Sequence, residues 1–424
     1  MKNILIFPAG SEIGLEINNA LKYQKNITIF GGTSVEDETQ FTYRHVVNLP
    51  FINEPDFIEC LNLEIDRNKI DYIYPAYDMV QCSLMERQEE IHAEIISSER
   101  DTVLLCRNKQ KVYDYLKDSW YVPQYYKDEI TEYPVFIKPK KGQGSLNAYR
   151  MDHQSDLEAY FENKNREEFV VCEYLPGKEY TVDCFTDDSG NLLVVKARLR
   201  ERIKNGISVS AEIIPEKEAI RSIAEDLNRK IKFRGAWFFQ IKENKCGELR
   251  LLEVSPRVSG TMGLTRNLGI NFEMLDLYLH MGVPVQVVPN DYELKVSRTL
   301  ISHYQSTVQF STAYVDYDDT LVVNSKVNTH LLALLYQFRN QGKEIILISK
   351  HRGDIHAALS ENCIAEGLFS KIITLLPEQE KAEYIEGDSI FIDDSFSERK
   401  RIREKKGIPV FDLDTIEALT DWRM

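Results

Sequence analysis

Between Lys109 and Arg257 the chain sets out, in order, Lys109, the stretch KPKKGQGS from Lys138 to Ser145, Glu173 in VCEYLPGKEYTVD, Gln240 in AWFFQIKE, and Glu253 with Arg257 in LLEVSPRVSG. Two lysines neutralise phosphates, and a glycine-rich loop closes over them. A strand-borne carboxylate holds a hard divalent cation, and an arginine faces the charge of a transferring phosphoryl group. Those are the parts needed to hold Mg-ATP and aim its terminal phosphate at an acid. Singly, Lys138 reads as a surface lysine and Arg257 as a cap or salt-bridge residue; their order and spacing carry the reading. Glu253 stands in the apolar run LRLLEV, where a buried carboxylate needs a partner.

Three kinds of element are expected to position these groups. Residues 1–100 alternate apolar strands (ILIF, ITIF, IDYIYP) with helical stretches, including a charged helix around Met85 to His92, the pattern of a small parallel α/β unit. Gly10 and Gly14 there fit either an incomplete dinucleotide turn or a tight strand-to-helix turn. Asp78, after an apolar strand, reads as a helix cap or as a group facing a substrate. Residues 101–289 read as α+β: a helix carrying Lys109, a strand and loop through KPKKGQGS, antiparallel strands about the Asp187–Gly190 turn, and the pair AWFFQIKEN and ELRLLEVSP. Residues 290–310 form a connecting segment. Residues 311–424 return to parallel α/β, with strands in AYVDYDDTLV, EIILIS, SIFIDD and IPVFDLD.

Bulk properties bound the partners. The 424 residues suffice for two to four domains, and 43% apolar with 28% charged residues suits a globular protein. A net charge of −15 argues against a nucleic-acid or anionic-membrane partner, which needs a basic surface. The seven cysteines are scattered, without C-x-x-C or zinc spacing. With no signal-like N-terminus and no long apolar run, a cytoplasmic location is expected. A homodimer is the default assembly.

Residues 1–289 resemble the ATP-grasp superfamily, most like its carbamoyl-phosphate-synthase and biotin-carboxylase branch, on the motifs quoted above. The resemblance implies a fold that clasps ATP between two α+β subdomains. It also implies phosphorylation of a carboxylate, displacement by an amine or other nucleophile, and ADP release. Lys109 and Lys138 would then contact the phosphates, and Gly142, Gly144 and Ser145 would form the covering loop. Glu173, with the backbone of Tyr174 and Leu175, would reach the adenine, and Glu179 the ribose. Gln240 and Glu253 would sit at magnesium. Arg200 or Arg202, followed by Gly206, and Arg257 would stabilise the acyl phosphate. The family usually has Asn where Ser255 stands, and a serine hydroxyl is the weaker magnesium ligand.

Residues 311–424 resemble the haloacid-dehalogenase (HAD) superfamily. Asp316 and Asp318 lie in DYDDT after an apolar strand, Ser349 ends EIILIS, Lys381 follows, and Asp393-Asp394 end SIFI. The resemblance implies Asp316 as nucleophile and Asp318 as acid/base, with Lys381 neutralising an aspartyl-phosphate. Thr320 and Ser349 would bind phosphoryl oxygens, and Asp316, Asp318 and Asp393 would hold magnesium. Asp319 stands where glycine is usual. Neither the stretch from Leu321 to EIILIS nor that from Ser349 to Lys381 holds a cap domain, so the Rossmannoid domain is capless and open to a bulky substrate.

The sequence thus predicts an ATP-dependent carboxylate–amine ligase acting on small molecules, fused to a magnesium-dependent phosphatase. An ATP-grasp kinase or carboxylase, and a phosphatase with a nucleotide-sensing partner domain, are the alternatives.

Overall fold

The computed structural model describes residues 1–424 except 128, 143, 145, 205, 206 and 424, and leaves aside the side chain of residue 207. The chain divides into two compact units, Met1–Leu300 and Ile301–Met424.

The first unit opens on a parallel sheet in the order His45–Asn48, Ile27–Thr33, Lys2–Phe7, Tyr72–Pro75, Glu94–Ile95. Its central strand is apolar on both faces because both faces are covered: Ile4, Leu5 and Ile6 are fully buried. The turn after it is tight for packing reasons. Ser11 caps the helix Glu12–Leu21 by accepting from the Gly14 amide at 3.0 Å. A Cβ on Gly14 would fall 2.5 Å from the Ala9 carbonyl oxygen, and Tyr43 donates its hydroxyl to the Gly14 carbonyl at 2.6 Å. These contacts account for Gly14 without a dinucleotide. The helix expected around Met85 to His92 begins earlier, at Asp78–Glu86, and a 3₁₀ turn, Gln88–Glu90, follows it. An acid in the first turn suits the positive end of the helix, which moves the start to Asp78.

The remainder of this unit is antiparallel. One sheet runs Tyr125–Tyr126, Phe169–Glu173, Val135–Pro139, Tyr149–Met151. The larger runs Leu249–Ser255, Gly235–Glu243, Glu179–Thr186, Leu192–Lys204, Ile207–Ile213, Lys295–Ser297. Its last strand comes from the segment expected as a connector, and Arg298 continues the pairing by donating its amide to Val209. The core of this sheet centres on Trp237, which is fully buried and stacked at 4.0 Å on Phe233.

The second unit is a parallel sheet ordered Lys371–Thr374, Glu344–Ser349, Thr312–Val315, Ser389–Ile392, Val410–Phe411. The first strand in sequence is central, so the chain departs to either side of it. The carboxyl end of such a strand is where open α/β sheets bind ligands.

Candidate functional site

In the first unit a cavity of about 520 Å³ collects most of the residues singled out above. The helix Lys109–Tyr115 brings Lys109 to it, with its ammonium 3.2 Å from Glu253 and donating at 3.1 Å to the Gly142 carbonyl. That ion pair is the partner a carboxylate in the run LRLLEV requires. Lys138, at the buried end of Val135–Pro139, is held by neutral groups: it donates to the Tyr113 hydroxyl at 2.8 Å and to the Leu252 carbonyl at 2.9 Å. Its charge faces the cavity without a carboxylate against it among the described residues. Gly142 and Gly144 line the same space, Gly144 with φ +62°, a conformation that favours glycine. Ser145 and Gly206 lie outside the described residues.

The strand register sets the opposite wall. Gln240 and Glu253 stand directly across from each other on paired strands, and Ser255 follows two residues on along the same face. Glu179 accepts from Arg200, which also donates to Gln240 at 3.2 Å. Glu173 takes the Gln124 amide at 2.9 Å and lies 3.5 Å from Arg250; Tyr174 and Leu175 continue the lining beside it. Between the two arginines left open by the sequence, the structure brings Arg200 to the cavity and leaves Arg202 exposed outside it. The ladder to Ile207–Ile213 shifts register between them, so two residues that would share a face in a regular strand do not.

Arg257 lies over the Phe238 ring at 5.2 Å and is tied by Asp78, whose carboxylate also accepts from the Ser255 hydroxyl at 2.6 Å. Burial opposes the Asp78 charge, yet Arg257, with help from Ser255, holds its carboxyl well below the ordinary range. Asp78 is therefore an ionised member of the cavity and, with Tyr77 as the capping residue, not the helix cap itself. Sequence reading missed Arg107, which lines the cavity two residues before Lys109. It also missed Arg198, a fully buried cation whose guanidinium grips Asp183 with two bonds of 2.7 Å and Ser259 at 2.7 Å. The run RLRER around Arg198 was its one sequence signal.

In the second unit, Asp316 follows the strand Thr312–Val315, Ser349 ends the neighbouring strand Glu344–Ser349, and Asp393 follows Ser389–Ile392 on the other side. Lys381, buried, donates to Asp316 and to Asp393, each at 2.6 Å. Burial pushes the Asp393 carboxyl up to about 6, and raises Asp316 as well, with Lys381 opposing both shifts. The two carboxylates in turn keep Lys381 above the ordinary lysine value despite its burial. Carboxylate oxygens of Asp316, Asp393 and Asp394 lie within 4.8 Å of one another. Asp394, which accepts from Thr320 at 3.1 Å, thus joins that group. Asp318 instead turns its carboxylate to His351, at 2.8 Å.

Comparison with known proteins bears on the first of these sites. Residues 165–300 match the model of a family described as ATP-grasp in the biosynthetic pathway with Ter operon. Biotin carboxylase from Campylobacter jejuni superposes with a TM-score of 0.57 at 16% identity, over 68% of this chain and 72% of that one. N5-carboxyaminoimidazole synthetase from Staphylococcus aureus, complexed with ADP, gives 0.56 at 15%, over 68% and 78%. L-amino acid ligase from Bacillus licheniformis gives 0.51 at 17%, over 65% and 73%. No curated protein matches the chain in sequence. At these identities the likeness defines a class by architecture: the chain carries an ATP-grasp fold.

Proposed function

We propose that residues 1–300 form an ATP-dependent carboxylate–amine ligase and that residues 301–424 form a magnesium-dependent phosphatase. The observation that carries the first half is the cavity that gathers Lys109, Lys138, Glu179, Arg200, Glu253 and Arg257 from separate helices and strands. Its volume of about 520 Å³ suits a nucleotide-sized ligand. Lys109 and Lys138 would take the phosphates, and Gln240 with Glu253 would offer hard oxygens to magnesium, which supplies charge neutralisation for phosphoryl transfer. The substrate carboxylate oxygen bonds to the terminal phosphorus as ADP leaves. The amine nitrogen then attacks the acyl carbon, phosphate departs, and the amine loses a proton. Arg257, fixed by Asp78 and Phe238, would face the charge that develops on these oxygens. The L-amino acid ligase among the structural relatives supports the ligase reading over a kinase.

In the second half Asp316 would attack phosphorus while Asp318 gives its proton to the leaving oxygen. Water then hydrolyses the aspartyl-phosphate and returns a proton to Asp318. The oxygens of Asp316, Asp393 and Asp394 fit one hard cation, which would neutralise the phosphoryl charge there.

The test for the ligase is ADP release and product mass with Mg-ATP and mixtures of amino acids and other small acids and amines, in an Asp316→Asn background. A condensed product, lost on the order of 100-fold in Glu253→Gln, is expected. A bicarbonate-dependent product without an amide would make the enzyme a carboxylase. Nucleotide turnover indifferent to Glu253→Gln would remove the ligase reading.

A further inference from the structure

The turn that follows Ser349 carries a histidine for which the proposed phosphatase chemistry has no role yet. His351 is partly buried, and its Nδ1 lies 2.8 and 3.0 Å from the two carboxylate oxygens of Asp318. The ring is itself constrained. Tyr317 meets it edge-on at 5.1 Å and 77°. Tyr317 is buried, donates its hydroxyl to the Ala358 carbonyl at 3.0 Å and accepts from Asn362 at 3.0 Å, so it is pinned to the helix Ile355–Glu361. Gly353, at φ +140°, closes the turn close enough that a Cβ there would sit 3.5 Å from His351 Nε2. Asp318 lacks comparable support: its side chain is 51% exposed, and among the described residues no other side chain bonds it.

We propose that His351 is a positioning residue that fixes the Asp318 carboxyl for proton transfer to the leaving group. This rests on reading the second unit as a phosphatase. An exposed carboxyl on a loop samples several rotamers, and proton transfer requires a donor within hydrogen-bond reach of the leaving oxygen. The nucleophile does not share this dependence, because the buried Lys381 holds Asp316 directly at 2.6 Å. Loss of His351 therefore weighs on substrates whose leaving oxygen must be protonated as the P–O bond breaks. An alkoxide is such a group, whereas p-nitrophenolate departs as a stable anion.

The experiment compares β-glycerophosphate with p-nitrophenyl phosphate for wild type, His351→Ala, His351→Asn, Asp318→Asn and Asp316→Asn, all as full chains with magnesium. In His351→Ala the ratio of kcat on the alkyl ester to kcat on the aryl ester is expected to fall on the order of 10- to 100-fold. KM should stay within about two-fold, since substrate binding is not the step affected. Asp318→Asn should lower the same ratio. His351→Asn, whose amide nitrogen can occupy the Nδ1 position, should restore part of it. Parallel losses on both esters, or no loss on either, overturn the positioning role. Turnover of the aryl ester by wild type and its loss in Asp316→Asn establish the phosphatase separately. If wild type hydrolyses neither ester, that reading falls and the role of His351 falls with it.

Discussion

Glu273 is fully buried on the helix Phe272–His280, and no other described residue donates to either of its carboxylate oxygens. Burial, reinforced by the charge of Glu16, raises its carboxyl well above the ordinary value, with the Arg266 guanidinium opposing and Asp276 adding to the shift. The folded state therefore keeps a proton that the unfolded chain releases above about 4.5, the ordinary value. Stability attributable to this group is intact below that pH and declines as pH rises toward the folded-state value. Replacing Glu273 by Met keeps the volume and removes the titration. The variant should be more stable than wild type by on the order of 1–3 kcal/mol at pH 8, with the difference shrinking toward pH 5. Urea denaturation at the two pH values measures this, and a pH-independent difference would assign the effect to packing alone. A contrast lies nearby: Asp276, equally deprived of water and pushed up to about 7, is bonded by Tyr74 and by the Ala236 amide at 2.7 Å.

At the scale of elements, that same Asp276 ties a helix to a strand. Gly235 opens the strand Gly235–Glu243 at φ +77°, and a Cβ there would fall 2.2 Å from Asp276 Oδ1. The glycine is what lets the helix approach the strand closely enough for its carboxylate to accept the Ala236 amide. Gly235→Ala should destabilise the first unit by on the order of 2–4 kcal/mol, through the positive φ and the displaced carboxylate together. Equal midpoints in a denaturant titration would show that the helix yields freely. Sequence legibility followed the same division between local and long-range causes. Strands such as ILIF and EIILIS announce themselves because both sheet faces are covered, and the Asp187–Gly190 turn marks its hairpin. The start of the helix at Asp78 has a weaker local signal, since its N-cap, Tyr77, offers no side-chain cap bond and most of the charge of the run falls after Met85. Arg198 stands in the basic run RLRER, but nothing local in that run or around Asp183 pairs the two. Register puts Arg198 across from Thr181, diagonal to Asp183, and only the pairing of the two strands makes them partners. Arg200 and Arg202 were inseparable for a related reason, because a bulge is a property of the ladder and not of either residue.

Over the whole molecule, the two units each own a core. In the second, Phe310, Ala313, Val315, Leu335, Leu347 and Ile390 belong to one buried cluster, while Tyr314, Ile348, Phe391 and Ile402 belong to another on the opposite face of the sheet. Lys343 closes the entry to this unit by donating to the Phe310 carbonyl at 3.1 Å and lying over its ring. The residues proposed for phosphoryl chemistry, Asp316, Asp318, Lys381 and Asp393, all lie within it, as do Tyr317 and His351. A fragment spanning residues 301–424 has the size of an independently folding domain and loses none of these groups. Produced alone, it should unfold in a single cooperative transition and hydrolyse p-nitrophenyl phosphate with a kcat within about three-fold of the intact chain, since no group of the proposed chemistry comes from elsewhere. The complementary fragment, residues 1–300, should retain the ADP-forming activity and lack the phosphatase. Paired melting curves and the two activity assays decide the matter. A fragment 301–424 that folds but has lost its turnover would mean that the first unit contributes to the second active site. One that fails to fold would mean that the two buried clusters of the second unit are not self-sufficient.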